Sequence, residues 1–170
     1  MQCNTTLRRK YQVFNFKATA RPILVPHDGT EMSDRALDKA IEFAKALKSE
    51  IIIVHIVDSR FVPPSTTLGL IGEKTTLENA KTQLIKILKT GAEAMLKDRI
   101  QKAKEGGVSA RFLLGVGSPA EEIISMANAE KAEMIIIGSR QLKGNKLLLT
   151  LGSVARRVSE MAGSPVMIVR

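Results

Sequence analysis

The sequence predicts a doubly wound α/β domain, a five-stranded and mostly parallel sheet with helices on both faces. Two observations carry that expectation. Residues Ile51–Val57 and Met134–Ile137 are apolar runs rich in β-branched side chains with no polar alternation, the pattern of strands buried on both faces beneath helices. Strand-like and helix-like segments then alternate as β-α-β-α-β-α-β-α-β, with no internal repeat and no low-complexity segment. Short connections and right-handed crossovers make one twisted parallel sheet the preferred solution for such an order. One edge strand running antiparallel would be compatible with it, strand five at a dimer contact being the foremost candidate.

Pro22–Pro26 reads as the first strand. Residues Asp28 to Ser33 turn the chain, with Ser33 expected as the N-cap and Asp34 in the first helical turn. Ala36, Leu37, Ala40, Ile41, Ala44 and Leu47 recur at helical spacing and carry the helix to about Lys48. After the second strand, Ile51–Val57, residues 58–75 form a long loop containing Pro63-Pro64, Gly69 and Gly72. Thr76 to about Glu105 follows as one helix, or two broken near Gly91. Glu93 with Lys97 and Asp98 with Lys102 give i,i+4 support on its wet face. Gly106-Gly107 ends it, and Ala110–Leu114 is strand three. Ser118-Pro119-Ala120-Glu121 has the form of a capping box with Pro at N1, opening a helix to about Ala129. Strand four is Met134–Ile137, the last helix runs from Val154 to Met161, and strand five is Pro165–Val169.

Ligands of such sheets sit beyond the carboxyl ends of the strands, where the strand order reverses. Two segments would meet there if strands one and four are neighbours. Asp28 follows strand one; Gly138-Ser139-Arg140 follows strand four. A glycine leaving a buried strand lets the backbone turn sharply and approach a ligand. Gly152-Ser153 opens the last helix, whose first N–H groups lack intrahelical partners, and Arg140, Lys143 and Lys146 lie between without an acidic residue. Strand end, basic loop and helix start together describe an anion pocket, most naturally for phosphate. The plainer reading is that a glycine after a buried strand is common in any α/β fold and that loop lysines are solvated. Neither a Walker A sequence nor a G-x-G-x-x-G fingerprint is present.

At 170 residues, with 44% apolar and only 4% aromatic residues, the chain is sized for one domain with an aliphatic core. Of its net charge of +9, four units come from Arg8, Arg9, Lys10 and Lys17 in residues 1–20, which hold no acid. That segment is expected to be a flexible basic extension, ahead of a domain covering 21–170. The domain lacks an aromatic stacking set and any recognised nucleic-acid motif, so nucleic acid is an unfavoured partner. No apolar stretch approaches membrane-spanning length. The single Cys3 excludes an internal disulfide framework and fits a reducing cytoplasm.

The ordered pieces Ile23-Leu24-Val25-Pro26 with Asp28-Gly29-Thr30, Val54-His55-Ile56-Val57-Asp58, Gly117-Ser118-Pro119-Ala120-Glu121-Glu122-Ile123, the Gly138 loop, and Gly152-Ser153-Val154-Ala155 ending in Pro165-Val166-Met167-Ile168-Val169 resemble the universal stress protein family over residues 21–170. The resemblance implies a flavodoxin-like, adenine nucleotide alpha hydrolase-like domain that forms homodimers through its last strands. It also implies ATP or another adenine nucleotide as ligand, with magnesium only as a companion of bound nucleotide. Under it, Asp28 stands at the nucleoside end and the Ile56 backbone meets the adenine edge. Gly138, Gly152 and Ser153 contact ribose and phosphates, and Pro26, Arg140 and Val154 complete the pocket. One departure stands out. The family's ATP-binding pattern is Gly, two residues, Gly, nine residues, then Gly-Ser or Gly-Thr; here Gln141 replaces the second glycine and ten residues separate it from Gly152.

No catalytic set is legible. His27 adjoins Asp28 and could contact a phosphate or act as a base, though a solvated loop histidine is the plainer expectation; His55 reads as a hydrogen-bonded strand residue. Two separated histidines and one cysteine offer no zinc spacing. The functional expectation is a cytoplasmic, nucleotide-binding regulatory protein with little or no catalysis. The alternatives are a dimeric interaction module of the same fold that acts on unidentified protein partners without nucleotide, and a weak ATPase.

Overall fold

The structure, a computed structural model, describes residues 20–58, 74–139 and 151–170. Its elements are β1 (Ile23–Pro26), α1 (Glu31–Leu47), β2 (Ile51–Asp58), α2 (Lys74–Glu105), β3 (Ala110–Gly117), α3 (Pro119–Ala129), β4 (Met134–Gly138), α4 (Ser153–Met161) and β5 (Val166–Val169). The strands form one sheet in the order β3-β2-β1-β4-β5, and every pairing is parallel, β5 included. The chain winds outward from β1 to β2 and β3, then returns to place β4 on the other side of β1. Strand order therefore reverses between β1 and β4.

Both faces of the sheet are apolar because both are covered. Ile23, Val25, Ile51 and Ile53 pack with Leu37 and Ile41 of α1 and Leu96 and Ala103 of α2. The alternate residues Leu24, Ile52, Val54 and Ile135 pack on the other face with Ile123 and Ala127 of α3 and Ala155 and Val158 of α4. Each fully buried Ile or Leu contributes about 1.5–3 kcal/mol, which is why a period-two polar alternation would be costly in these strands.

Several boundaries differ from expectation for local physical reasons. Thr30, in extended conformation, precedes α1; Ser33 is instead buried inside the first turn, its hydroxyl donating to the Thr30 carbonyl at 2.7 Å. α2 runs unbroken through Gly91, where a Cβ would meet nothing within 4 Å. The glycine costs about 1 kcal/mol relative to Ala, a penalty outweighed by the burial of Ala92 and Leu96 just beyond it. Lys102 reaches across to Asp38 of α1, at 2.5 Å, tying the two helices together. β3 is longer than its apolar run, because Gly115 and Gly117 continue the register opposite Ile56 and Asp58. Ser118 does precede α3 with Pro119 in the first turn, but its side chain makes no capping bond. The box is not closed, since Glu121 pairs with Arg157 of α4 at 3.1 Å. The basic extension lies outside the described residues, save for residue 20.

Gly138 ends β4 where the first turn of α1 crosses it. A Cβ there would overlap the Met32 carbonyl group and lie 2.9 Å from the Ser33 nitrogen. The close approach that demands glycine is therefore to helix backbone, and no flexible side chain is available to yield. Gly138→Ala is expected to destabilise the domain by about 1–3 kcal/mol, as overpacking does, read as a lower urea midpoint at unchanged slope. An unchanged midpoint would mean that α1 moves away freely.

Candidate functional site

A cavity of about 740 Å³ opens at the carboxyl ends of β1, β2 and β4. Its opening follows from strand chemistry. Along β1 the even-numbered residues face β4, as the bond from Glu133 N–H to the Pro22 carbonyl shows, and the odd-numbered ones face β2. Pro26 thus faces β4 without an N–H to give, and the β1–β4 register stops at Leu24–Ile135. The two strands part there, and α1 and α4 leave on opposite faces.

All of the described residues singled out from the sequence line this cavity: Pro26, Asp28, Ile56, Gly138, Gly152, Ser153 and Val154. Arg140 lies outside the described residues, as do Gln141, Lys143, Gly144 and Lys146. The Asp28 carboxylate is held by its own turn. Both the N–H and the hydroxyl of Thr30 donate to Oδ1, at 3.1 and 2.6 Å, while Gly29 adopts φ +84°, the left-handed conformation open to glycine. Ile56 offers backbone. Val54 accepts from the His27 N–H at 2.8 Å on the β1 side, and two residues on, Ile56 points its N–H and carbonyl the same way, past the end of β1.

Gly152 opens α4 with no side-chain cap. It is anchored from behind, its N–H directed at the buried Ser139 hydroxyl at 3.4 Å, and its carbonyl accepts from Arg156 at 2.9 Å. The first-turn N–H groups of Ser153, Val154 and Ala155 carry the positive end of the helix dipole. The first turn of α4 has no acidic residue, whereas those of α1 and α3 hold Glu31 and Asp34, and Glu121 and Glu122. Of these three helix starts, α4 is the one whose potential favours an anion.

His27 is not the solvated loop histidine expected; it is 2% exposed, and both ring nitrogens are engaged. The Gly29 N–H donates to Nδ1 at 3.2 Å, so the ring proton is on Nε2, which donates to Asp34 Oδ1 at 3.0 Å. Arg99 of α2 grips the same carboxylate with Nε at 3.1 Å and a terminal nitrogen at 3.2 Å. Burial pushes the His27 pKa below its ordinary 6.5, outweighing the hydrogen bond and charge of Asp34. Burial would raise the Asp34 pKa, but the bonds from Arg99 and His27 hold it below its ordinary value. His55 is hydrogen-bonded as expected, Nδ1 donating to the His27 carbonyl at 2.8 Å, and it also lines the cavity. Thr30, Asp58, Leu88, Pro119 and Ile123 line it too without having been singled out. For Pro119 the signal was present, since the helix it opens starts at the carboxyl end of β3; Leu88, midway along α2, has none.

Fold and crevice define the class: a doubly wound α/β domain with a ligand-sized cavity where the strand order reverses. The chain belongs to the Universal stress protein family, whose model matches residues 19–170. It is similar to Universal stress protein YxiE of Bacillus subtilis, 34% identical over 148 residues that span 87% of this chain and 97% of that protein. It is also similar to the solved structure of MJ0577, with a TM-score of 0.70 at 27% identity, covering 88% and 95% of the two chains. MJ0577 is a universal stress protein of Methanocaldococcus jannaschii. A universal stress protein of Archaeoglobus fulgidus solved in complex with dAMP shares the fold, with a TM-score of 0.58 at 22% identity over 88% of this chain and 98% of that one.

The buried histidine makes stability pH-dependent. Because its pKa in the folded state lies below 6.5, the unfolded chain takes up a proton that the folded chain refuses as the pH drops through 6.5. The contribution of His27 to stability is therefore full above that value and declines below it, levelling off once the pH passes the folded-state pKa, with Asp34 adding a further loss below 3.8. Urea unfolding from about pH 8 to about pH 5 is expected to give a midpoint that is flat at first and then falls. The fall should shrink in His27→Asn; an equal fall in that variant would assign it to other groups.

Proposed function

We propose that the protein is a regulatory member of its family that binds ATP or another adenine nucleotide in the β1/β4 crevice, with little or no catalysis. One observation supports this reading: the acid-free start of α4 and Asp28, whose carboxylate is held by its own turn, line the same cavity. Phosphates would meet the N–H groups of Ser153 and Val154, Asp28 would accept from ribose hydroxyls, and the Ile56 backbone would meet the base edge. The volume falls within the roughly 300–1,000 Å³ of small-molecule sites, and the dAMP complex of the Archaeoglobus fulgidus protein is an adenine nucleotide on the same fold. Among the described residues, no group of three or more His, Cys, Asp or Glu is placed to hold a metal, so magnesium would enter on the nucleotide phosphates. With both His27 nitrogens engaged, the crevice gains no base from it, and binding would act by stabilising the ligated state through mass action.

The edge position of β5 favours an added role as a homodimer or interaction module. Val166–Val169 is an apolar edge strand, each residue only partly buried, and such an edge can pair with a second copy or a protein partner. No helix among the described residues is long and apolar enough to cross a membrane. The proposed location is the cytoplasm, whose reducing conditions suit a chain with the single Cys3.

Mass spectrometry of small molecules released from the purified protein is expected to find an adenine nucleotide, and ATP at about millimolar concentration should raise the melting temperature. Ser153→Ala should weaken ATP about fivefold, the equivalent of about 1 kcal/mol for one hydrogen bond. Gln141→Gly with Leu142 deleted, which restores the family spacing, should strengthen it. A nucleotide-free protein with no thermal response to ATP would leave the interaction module as the function.

A further inference from the structure

We propose that His27 is a positioning residue that latches the Asp28 turn onto the crevice, and that protonation of its ring releases the latch and weakens binding in acid. The claim rests on the reading of the crevice as a nucleotide site. Its own basis is the geometry around one ring. Four residues, His27 to Thr30, turn the chain from β1 into α1, and the bond from Gly29 N–H to His27 Nδ1 closes the middle of that turn. The rest of His27 is fixed from three elements. Asp34 of α1 accepts a hydrogen bond from its Nε2–H and is itself gripped by Arg99 of α2. On the β2 side, Val54 accepts from its N–H and His55 donates to its carbonyl. The ring cannot swing away, so whatever happens at Nδ1 is felt by Gly29.

A proton added to the ring must go to Nδ1, because Nε2 already carries one. It would place an N–H against the Gly29 N–H, turning a hydrogen bond into two opposed donors inside a buried site. The contact to Asp34 would survive as an ion pair. The cost therefore falls on Gly29, in its left-handed conformation, and through it on Asp28 and Thr30, which share the turn. The charged groups around the ring divide. Asp34 from α1 and Asp28 from the turn favour the proton, while burial and Arg99 from α2 oppose it; His55 meets only the backbone carbonyl. A nucleotide that needs Asp28 in place would bind the unprotonated form, and single-proton linkage then caps the loss of affinity at about tenfold per pH unit.

The test combines a ligand-free and a ligand-bound readout. In the nucleotide-free protein, NMR should show the Gly29 amide shifting in step with the His27 ring as the pH is lowered. In calorimetric titrations with ATP at about pH 7.5 and about pH 5, wild type should bind more weakly at the lower pH by more than about twofold, within the limit of about tenfold per pH unit. His27→Asn replaces Nδ1 with a side-chain oxygen that does not titrate, and its affinities at the two pH values should agree within about twofold. His27→Gln can keep the donor toward Asp34 without restoring the acceptor for Gly29, and should bind more weakly than His27→Asn at both. Titration of the ATP phosphates is common to all three chains and cancels in the comparison. A Gly29 amide that stays still while His27 titrates would overturn the latch, as would a wild-type pH profile in His27→Asn. If wild type binds no ATP at either pH, the nucleotide reading fails, and the Gly29–His27 titration alone decides the latch. That titration needs no variant, so a His27 substitution that fails to fold leaves the test intact.

Discussion

The position of β1 between β2 and β4 is the constraint on which the rest depends. A strand paired on both edges and covered on both faces must be apolar along its whole length, and Ile23, Leu24 and Val25 are fully buried. Pairing on both edges also makes β1 the place where strand order reverses, so the helices that follow β1 and β4 diverge to opposite faces. The crevice is the space they leave. Pro26 sharpens it by withholding the N–H that would have carried the β1–β4 ladder further. A fold chosen by hydrophobic burial thus places an acidic turn and an uncapped helix start across one cavity.

The first turn of α1 is where packing and chemistry meet. Its backbone crosses Gly138 so closely that no side chain fits between. Its Asp34 takes one hydrogen bond from a buried neutral imidazole and two from a guanidinium on α2. A carboxylate in that position would be costly without partners; with Arg99 and His27 it is satisfied, and no described side chain leaves a buried polar atom unpartnered. The Asp28 turn is thereby fixed by a network that reaches three elements. Flanking both Asp28 and Asp34, the histidine is the point through which a proton would be felt at the crevice.

Much of the fold was legible because burial on both faces leaves a mark that needs no third dimension. The runs at Ile51–Val57 and Met134–Ile137 lack alternation, and the helix over Ala36–Leu47 repeats at 3.6 residues. The site was legible in outline for a related reason: in a parallel sheet, whatever follows a strand lies on the ligand side, so Asp28, Gly138 and Gly152 could be placed from chain order. Local signals failed where a distant group competed. Ser118 and Glu121 have the form of a capping box, but Arg157 on another helix takes the carboxylate. Ser33 resembles an N-cap, yet the chain enters the helix three residues earlier and buries it.

By itself the sequence determined the class of the sheet, the order of its elements and the residues that flank its carboxyl edge, since hydrophobic period, glycine, proline and chain order are local properties. Only the tertiary structure decided that β1 and β4 are neighbours, that Gly138 must be bare because α1 crosses it, and that His27 is a buried neutral latch. Those three depend on contacts between residues far apart in the chain, Gly138 with Met32 and Arg99 with Asp34 among them. The burial that sets the charge of an imidazole belongs to the assembled layers, and no pattern along one strand records it.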